Sequence, residues 1–288
     1  MIMLQIIRKA FTLIELLVVI AIIGILSGLI VVSMSGVTQK ATIAKAQVFS
    51  NSLRNSLMLN LVSEYKLDGN VNDSWGGGNN GTNVGATAST DCVYGSCYRF
   101  DGGDYVTMGD VLDIGTSDLT ISVWAKVISL PFAENKYLIG KSDANATDGR
   151  YSLGMTSTGA ARSVFDPGSG LTLDGATTAN IGWNLLTGVW DRDGNMSVYL
   201  NGKQENSVSI SAGNNQNYDN SITFLIGGYT TGSGLFIGSI DEARVFFAVL
   251  PLSKIKEQYY AGLNKLLISG QINNKEYNER INSIGINE

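Results

Sequence analysis

The 288-residue chain reads as an α+β protein: a long amino-terminal transmembrane helix, an all-β sandwich of the jelly-roll kind, and a short helical carboxy-terminal tail. Three observations predict this. Phe11 to Val32 is almost wholly apolar; after Tyr65 helical periodicity gives way to short alternating runs between Gly, Asn and Asp turns; and apolar residues recur at three and four residues again after Pro251. The boundaries follow: 1–10 a leader, 11–62 a helix with 11–32 in the membrane, 63–250 the sandwich, 251–288 the tail.

The first segment carries polar side chains only at Thr12, Glu15 and Ser27. As a helix, about 22 such residues span roughly 30 Å, enough to cross a bilayer. An ionised Glu15 inside it costs on the order of a few kcal/mol, so it is a functional residue awaiting a cation, and none lies within the span. A secretory signal peptide fits poorly, since its apolar region is about 7–15 residues long. A plain single-pass anchor fits the length, and Arg8 and Lys9 would hold its amino terminus in the cytoplasm, but it leaves Glu15 unexplained.

The run Lys9-Ala10-Phe11-Thr12-Leu13-Ile14-Glu15-Leu16-Leu17-Val18-Val19-Ile20 resembles the amino-terminal signature of type IV pilins and pseudopilins. The resemblance implies cleavage by prepilin peptidase between Ala10 and Phe11, N-methylation of Phe11, and pairing of Glu15 with the Phe11 amine of a neighbouring subunit. Ala10 stands where the family usually has Gly. Cleavage creates the missing cation, and an intersubunit ion pair offsets a desolvation cost that neither charge could bear alone. The implied partners are the peptidase, other pilin subunits and the pilus or secretion assembly machinery. The implied location is the inner (cytoplasmic) membrane for the precursor, with its head outside the cytoplasm, and then a cell-surface filament.

Helical spacing continues through Val37, Ala41, Ala44, Val48, Leu53, Leu57 and Leu61, which predicts one rod from Phe11 to about Val62. Gly24 and Gly28 suit close approach of membrane helices. Beyond Tyr65 the predicted strands are 98–100, 105–108, 119–127, 136–140, 151–155, 183–190, 196–200, 223–227 and 238–247. Asp193-Gly194 and Asn201-Gly202 are hairpin dipeptides between them. The ordered set Leu67-Asp68-Gly69-Asn70, Phe100-Asp101-Gly102-Gly103-Asp104-Tyr105-Val106, Leu119-Thr120-Ile121-Ser122-Val123-Trp124, Val198-Tyr199-Leu200-Asn201-Gly202 and Ile240-Asp241-Glu242-Ala243-Arg244-Val245 resembles laminin-G-like, concanavalin A-like jelly rolls. That fold hosts lectins, glucanases and structural modules alike. In the tail, Leu252, Ile255, Tyr259, Leu263 and Leu266 mark one helix, and Asn274 caps a second.

Composition prunes the chemistry. The chain has no histidine, which excludes an imidazole general base and the common His-containing zinc sites. Without the leader, 18 basic residues face 25 acidic ones, a net charge of −7 with no basic stripe, so nucleic acid is not a partner. The Glu-x-Asp-x-x-Glu pattern of glucanases is absent and no enzyme activity is expected. Cys92 and Cys97, with four residues between them and outside the cytoplasm, suit a bridge closing one turn, the alternative being two core thiols.

Asp68, Asn70 and Asn72 begin like an oxygen-ligand loop, but Asp73 and Asn79 stand where an EF-hand needs Gly and Glu. The jelly-roll resemblance instead implies one structural calcium between Asp68 and Asp241; the competing reading is that these acids cap turns. Carbohydrate binding needs exposed aromatic rings beside polar groups. Trp124, Trp183 and Trp190 lie on predicted strands and belong to the core, leaving Trp75, Tyr218 and Tyr229 as surface candidates for a glycan or surface partner.

Overall fold

The structure is a computed structural model that describes residues 13–14, 16–24, 60–143, 149–166, 170–211, 216–229, 232 and 234–285. Residues 13–14 and 16–24 are helical (α1) and their apolar side chains are exposed. Ala10, Phe11, Glu15 and most of the predicted rod lie outside the described residues. No described helix is long and apolar enough to cross a membrane.

The head starts one step earlier than the periodicity predicts. Leu61 and Val62 belong to strand β1 (Leu61–Tyr65), which pairs with a late strand near the sandwich's carboxy-terminal end. Then come β2 (Thr82–Val84), β3 (Thr87–Ser89), β4 (Cys97–Asp101), β5 (Tyr105–Gly109), β6 (Leu119–Val127), β7 (Lys136–Lys141) and β8 (Arg150–Met155). These are followed by β9 (Ala160–Asp166), β10 (Leu171–Thr178), β11 (Gly182–Trp190), β12 (Asn195–Leu200), β13 (Lys203–Ser209), β14 (Phe224–Ile226) and β15 (Ile237–Phe246). All pair antiparallel in two sheets. The first has the order β13-β12-β11-β6-β15-β4-β3 with β1 on β15, the second β10-β9-β8-β7-β14-β5-β2.

The nine predicted strands are all present, with ends shifted by a residue or two. β1, β2, β3, β9, β10 and β13 are additional. β10 and β13 close the corresponding ends of the two sheets, and the polar run Lys203-Gln204-Glu205-Asn206 carries no apolar alternation because an edge strand has little to bury. Asn201 and Gly202 adopt φ of 54° and 79° and turn β12 tightly into β13. The Asp193-Gly194 turn works without positive φ, through a Gly194 N–H bond to the Asp191 carbonyl of 3.0 Å.

Alternation on β6 shows how the layers form. Leu119, Ile121, Val123, Ala125 and Val127 enter the core between the sheets with Leu186, Trp190, Phe165 and Tyr151. Trp124, on the opposite face, joins Trp183 and Leu185 in a second apolar cluster, closed by helix α2 (Leu252–Ile268) through Tyr259, Leu263 and Leu266, by helix α3 (Asn274–Asn282) through Tyr277 and Ile281, and by Ile284 just beyond it. The Trp124 and Tyr259 rings stack at 5.7 Å. A Cβ on Gly262 would overlap the Trp124 ring, so glycine lets the helix backbone lie directly on the sheet. All three strand tryptophans are buried as expected, but only Trp190 lies between the sheets. The tail is therefore the cover of the first sheet's outer face. α3 starts where Asn273 accepts the Glu276 N–H at 2.9 Å, one residue before the predicted cap.

Candidate functional site

With the first sheet covered by α2 and α3, the second sheet's outer face is the broad surface on which no described helix packs. Its register lines up Asp174 on β10, Arg162 on β9, Gly154 on β8 and Tyr137 on β7. Arg162 and Asp174 form a two-pronged pair, Nε to Oδ1 at 2.6 Å and a terminal nitrogen to Oδ2 at 2.7 Å, which raises the guanidinium's already high pKa. Gly154 leaves no side chain between this pair and Tyr137. Two residues along β8 on the same face, the Ser152 hydroxyl is buried and has no hydrogen-bond partner.

Tyr137 is half-buried, and its ring stacks on Tyr229 with centroids 4.4 Å apart and planes 23° from parallel. Tyr229 itself is only 7% exposed and interacts with Arg150. Burial works against the Arg150 charge, but Asp166 more than offsets it and the pKa rises. Burial likewise raises the Tyr229 phenol, so the ring stays neutral at physiological pH. Half-buried Tyr105 lies on the same face of β5, its Cβ 3.2 Å from where Gly228 would carry one. The result is an aromatic wall beside a planar donor–acceptor pair, a combination that holds hydroxylated ligands by ring contact and hydrogen bonds.

This corrects the surface aromatics expected from sequence. Tyr229 backs Tyr137 from below; the more open ring is Tyr137, which sequence placed only in a strand. Tyr218 is 3% exposed, wedged edge-on against Phe165 at 4.9 Å and under Arg192 at 4.2 Å, and is core. Trp75 is half-buried beside β1, its backbone N–H bonded to Asp73 Oδ1 at 3.0 Å. Arg162 and Asp174 were invisible because their strands carry only a weak apolar alternation; only register across four strands joins them to Tyr137.

Cys92 and Cys97 form a disulfide. The loop that they close is where Asp68 and Asp241 meet the structure. Asp241 Oδ2 accepts the Val93 and Tyr94 N–H groups at 3.0 Å each, and Oδ1 accepts the Glu242 N–H at 2.9 Å. Asp68 Oδ1 accepts the Ser96 N–H at 2.8 Å. Gly95 (φ 56°) has no room for a Cβ against the Asp68 carboxylate. No group of three or more His, Cys, Asp or Glu side chains gathers among the described residues. Four N–H donors already occupy these two carboxyl groups, and this set does not fit calcium, which takes six to eight oxygens. The turn-capping reading of these two acids is the one that the hydrogen bonds support. Burial, then neighbouring Glu242, nonetheless push Asp241 up to about 8 against those donors. Glu242 is held down by Arg244 and Lys265, which overcome its own burial. The buried Glu64–Arg244–Glu242 chain, at 3.0 Å for its Glu64 link, ties β1 to β15.

Comparison with known proteins agrees with both halves. Residues 100–256 match the model of the concanavalin A-like lectin/glucanases superfamily, and residues 7–31 match the prokaryotic N-terminal methylation motif. The chain belongs to the concanavalin A-like lectin/glucanases superfamily and carries a type IV pilin-like amino terminus. Among solved structures it is similar to the binding domain of Paraclostridial mosquitocidal protein 1 (17% identity, 72% of this chain, 53% of that one, TM-score 0.60). It is similar to domain 4 of AbnA, a GH43 extracellular arabinanase from Geobacillus stearothermophilus solved with arabinotriose (22%, 69% and 97%, TM-score 0.52). The botulinum neurotoxin serotype D ligand binding domain, solved with N-acetylneuraminic acid, is a third (15%, 73% and 53%, TM-score 0.54). The chain spans about half the length of the two toxin domains. At these identities the likeness is one of fold. No curated protein matches the chain.

Proposed function

We propose that this is a minor or tip subunit of a type IV pilus-type filament, displaying a lectin-like head that binds a glycan for surface adhesion. The observation that supports it best is the joining, in one chain, of the methylation motif at 7–31 to a lectin-type sandwich whose open face carries Tyr137 beside Arg162 and Asp174. Processing between Ala10 and Phe11 by prepilin peptidase, and pairing of Glu15 with a neighbour's Phe11 amine, belong to this reading. So do a membrane-anchored precursor and a final place in a surface filament. The head acts by binding; no catalytic role is assigned to any residue. The arabinotriose on AbnA domain 4 and the N-acetylneuraminic acid on the serotype D domain make carbohydrate a reasonable ligand class for such a fold. No calcium enters the proposal.

Mass spectrometry of protein from the native membrane tests the first half: methylated Phe11 is the expected first residue, and an intact leader would overturn the filament reading. A glycan array with the full chain in detergent tests the second half. Binding that Tyr137→Ala weakens at least tenfold supports the site, and binding untouched by that change would move it elsewhere. The motif is shared with secretion pseudopilins, and imaging of filaments in cells that lack the chain separates the two.

A further inference from the structure

The electrostatics of the Tyr137 face narrow its ligand. Across all seven strands of the second sheet the sequence places just four cations, Lys136, Lys141, Arg150 and Arg162. Each already has an acid. Arg162 gives its fork to Asp174. Arg150 bonds Asp166, with Nε to Oδ2 at 2.9 Å, and gives another nitrogen to the Asp143 carbonyl at 3.0 Å. Lys136 Nζ lies 3.4 Å from Glu134, and Lys141, fully buried, meets Asp110 at 2.8 Å and Asp113 at 2.5 Å. The acids are the more exposed partners at Asp174, Glu134 and Asp110, with side chains 42%, 53% and 50% accessible.

We propose that this face binds neutral, hydroxyl-rich glycans and discriminates against carboxylated ones such as sialylated or uronic-acid sugars. The proposal rests on the glycan reading above and goes beyond it to the ligand's charge. A sugar carboxylate here would lose water, find every cation of these strands already paired and meet the exposed Asp174 carboxylate, a like-charge penalty that disfavours binding. A neutral sugar meets what it can use: the Tyr137 ring for its C–H face, Asp174 as acceptor and the outer N–H groups of Arg162 as donors to adjacent hydroxyls. The serotype D domain shares the fold, so its acidic ligand gives no reason to expect the same charge preference on this surface.

The test measures detergent-solubilised full chain against matched oligosaccharides that differ only in a terminal sialic or uronic acid, at low and high salt. Neutral members are expected to bind at least tenfold more tightly, with a gap that narrows as salt screens the repulsion. Asp174→Asn, which releases Arg162, should shrink the gap at least threefold. Equal or tighter binding of the acidic members by the wild-type chain overturns the proposal, as does an Asp174→Asn chain with normal melting temperature and an unchanged ratio. Should the wild-type ratio alone be measurable, it decides by itself. Absence of binding to every glycan overturns the underlying glycan reading, a result distinct from inverted charge preference.

Discussion

At Gly262 one missing methyl group sets how closely α2 lies on the sheet, because any Cβ there would collide with Trp124. Gly262→Ala should destabilise the head by about 1–3 kcal/mol despite the better helix propensity of Ala, read in urea unfolding. A stabilised variant would show that the helix can shift at no cost. Asp241 is the second decisive residue. Its folded pKa of about 8 lies above its ordinary 3.8, so the protonated form is favoured by folding. Its contribution is fully present below about pH 4 and is lost as pH rises through about 8. The melting temperature of the wild-type chain relative to Asp241→Asn should therefore fall between pH 5 and 9, and chelator should leave both unchanged. A bound cation would reverse both signs: the carboxylate would be ionised, and removal of the ion would lower the melting temperature. The sequence singled out Asp68 and Asp241 as calcium ligands or, alternatively, turn caps; their partners in the structure are backbone N–H groups, those of the 93–96 loop among them, and side-chain identity carries no record of those.

At the scale of elements, the tail is integral to the head. α2 supplies Tyr259, Leu263 and Leu266, and α3 and the residues after it supply Tyr277, Ile281 and Ile284, to a cluster with Trp124 and Trp183. Truncation after Leu250 should expose those tryptophans, and the shortened head should bind a hydrophobic dye or aggregate. Soluble, dye-negative protein with an unchanged melting temperature would refute the role of the cover. The helices were legible from their three-and-four spacing, because an amphipathic stripe is written locally. Their docking face was not, since Trp124 reads as a core residue whichever side of the sheet is covered. The Cys92–Cys97 loop joins the same cluster and caps Asp241. Replacing both cysteines by serine should cost about 2 kcal/mol, seen as a lowered urea midpoint. No change would mean that the hydrogen bonds alone hold the loop.

For the whole molecule, the anchor and the head answer different physical demands. A carboxylate in an apolar run is costly anywhere in a membrane and becomes useful only in an assembly that supplies a cation. Glu15→Ala should leave membrane insertion intact and reduce incorporation into filaments by an order of magnitude or more, measured by sheared-filament blots. Normal incorporation would remove the assembly role proposed for Glu15. The head, with one sheet covered and the other free of any described helix, offers a broad face for the glycan recognition proposed above, and the charges of that face are paired.

What the sequence determined by itself were the features written in neighbouring residues: the apolar run with Glu15, the nine strongly alternating strands, the Asn201-Gly202 hairpin and the two tail helices. Periodicity and turn chemistry depend on a few consecutive side chains, so they survive without coordinates. Tertiary structure alone decided which Trp faces which layer, that β10 and β13 exist as polar edges, that Tyr229 and Tyr218 are buried, and that Tyr137, Arg162 and Asp174 share a row. The reason is register. A residue's neighbours across a sheet lie tens of positions away in the chain, and only strand pairing brings them within about 5 Å of one another.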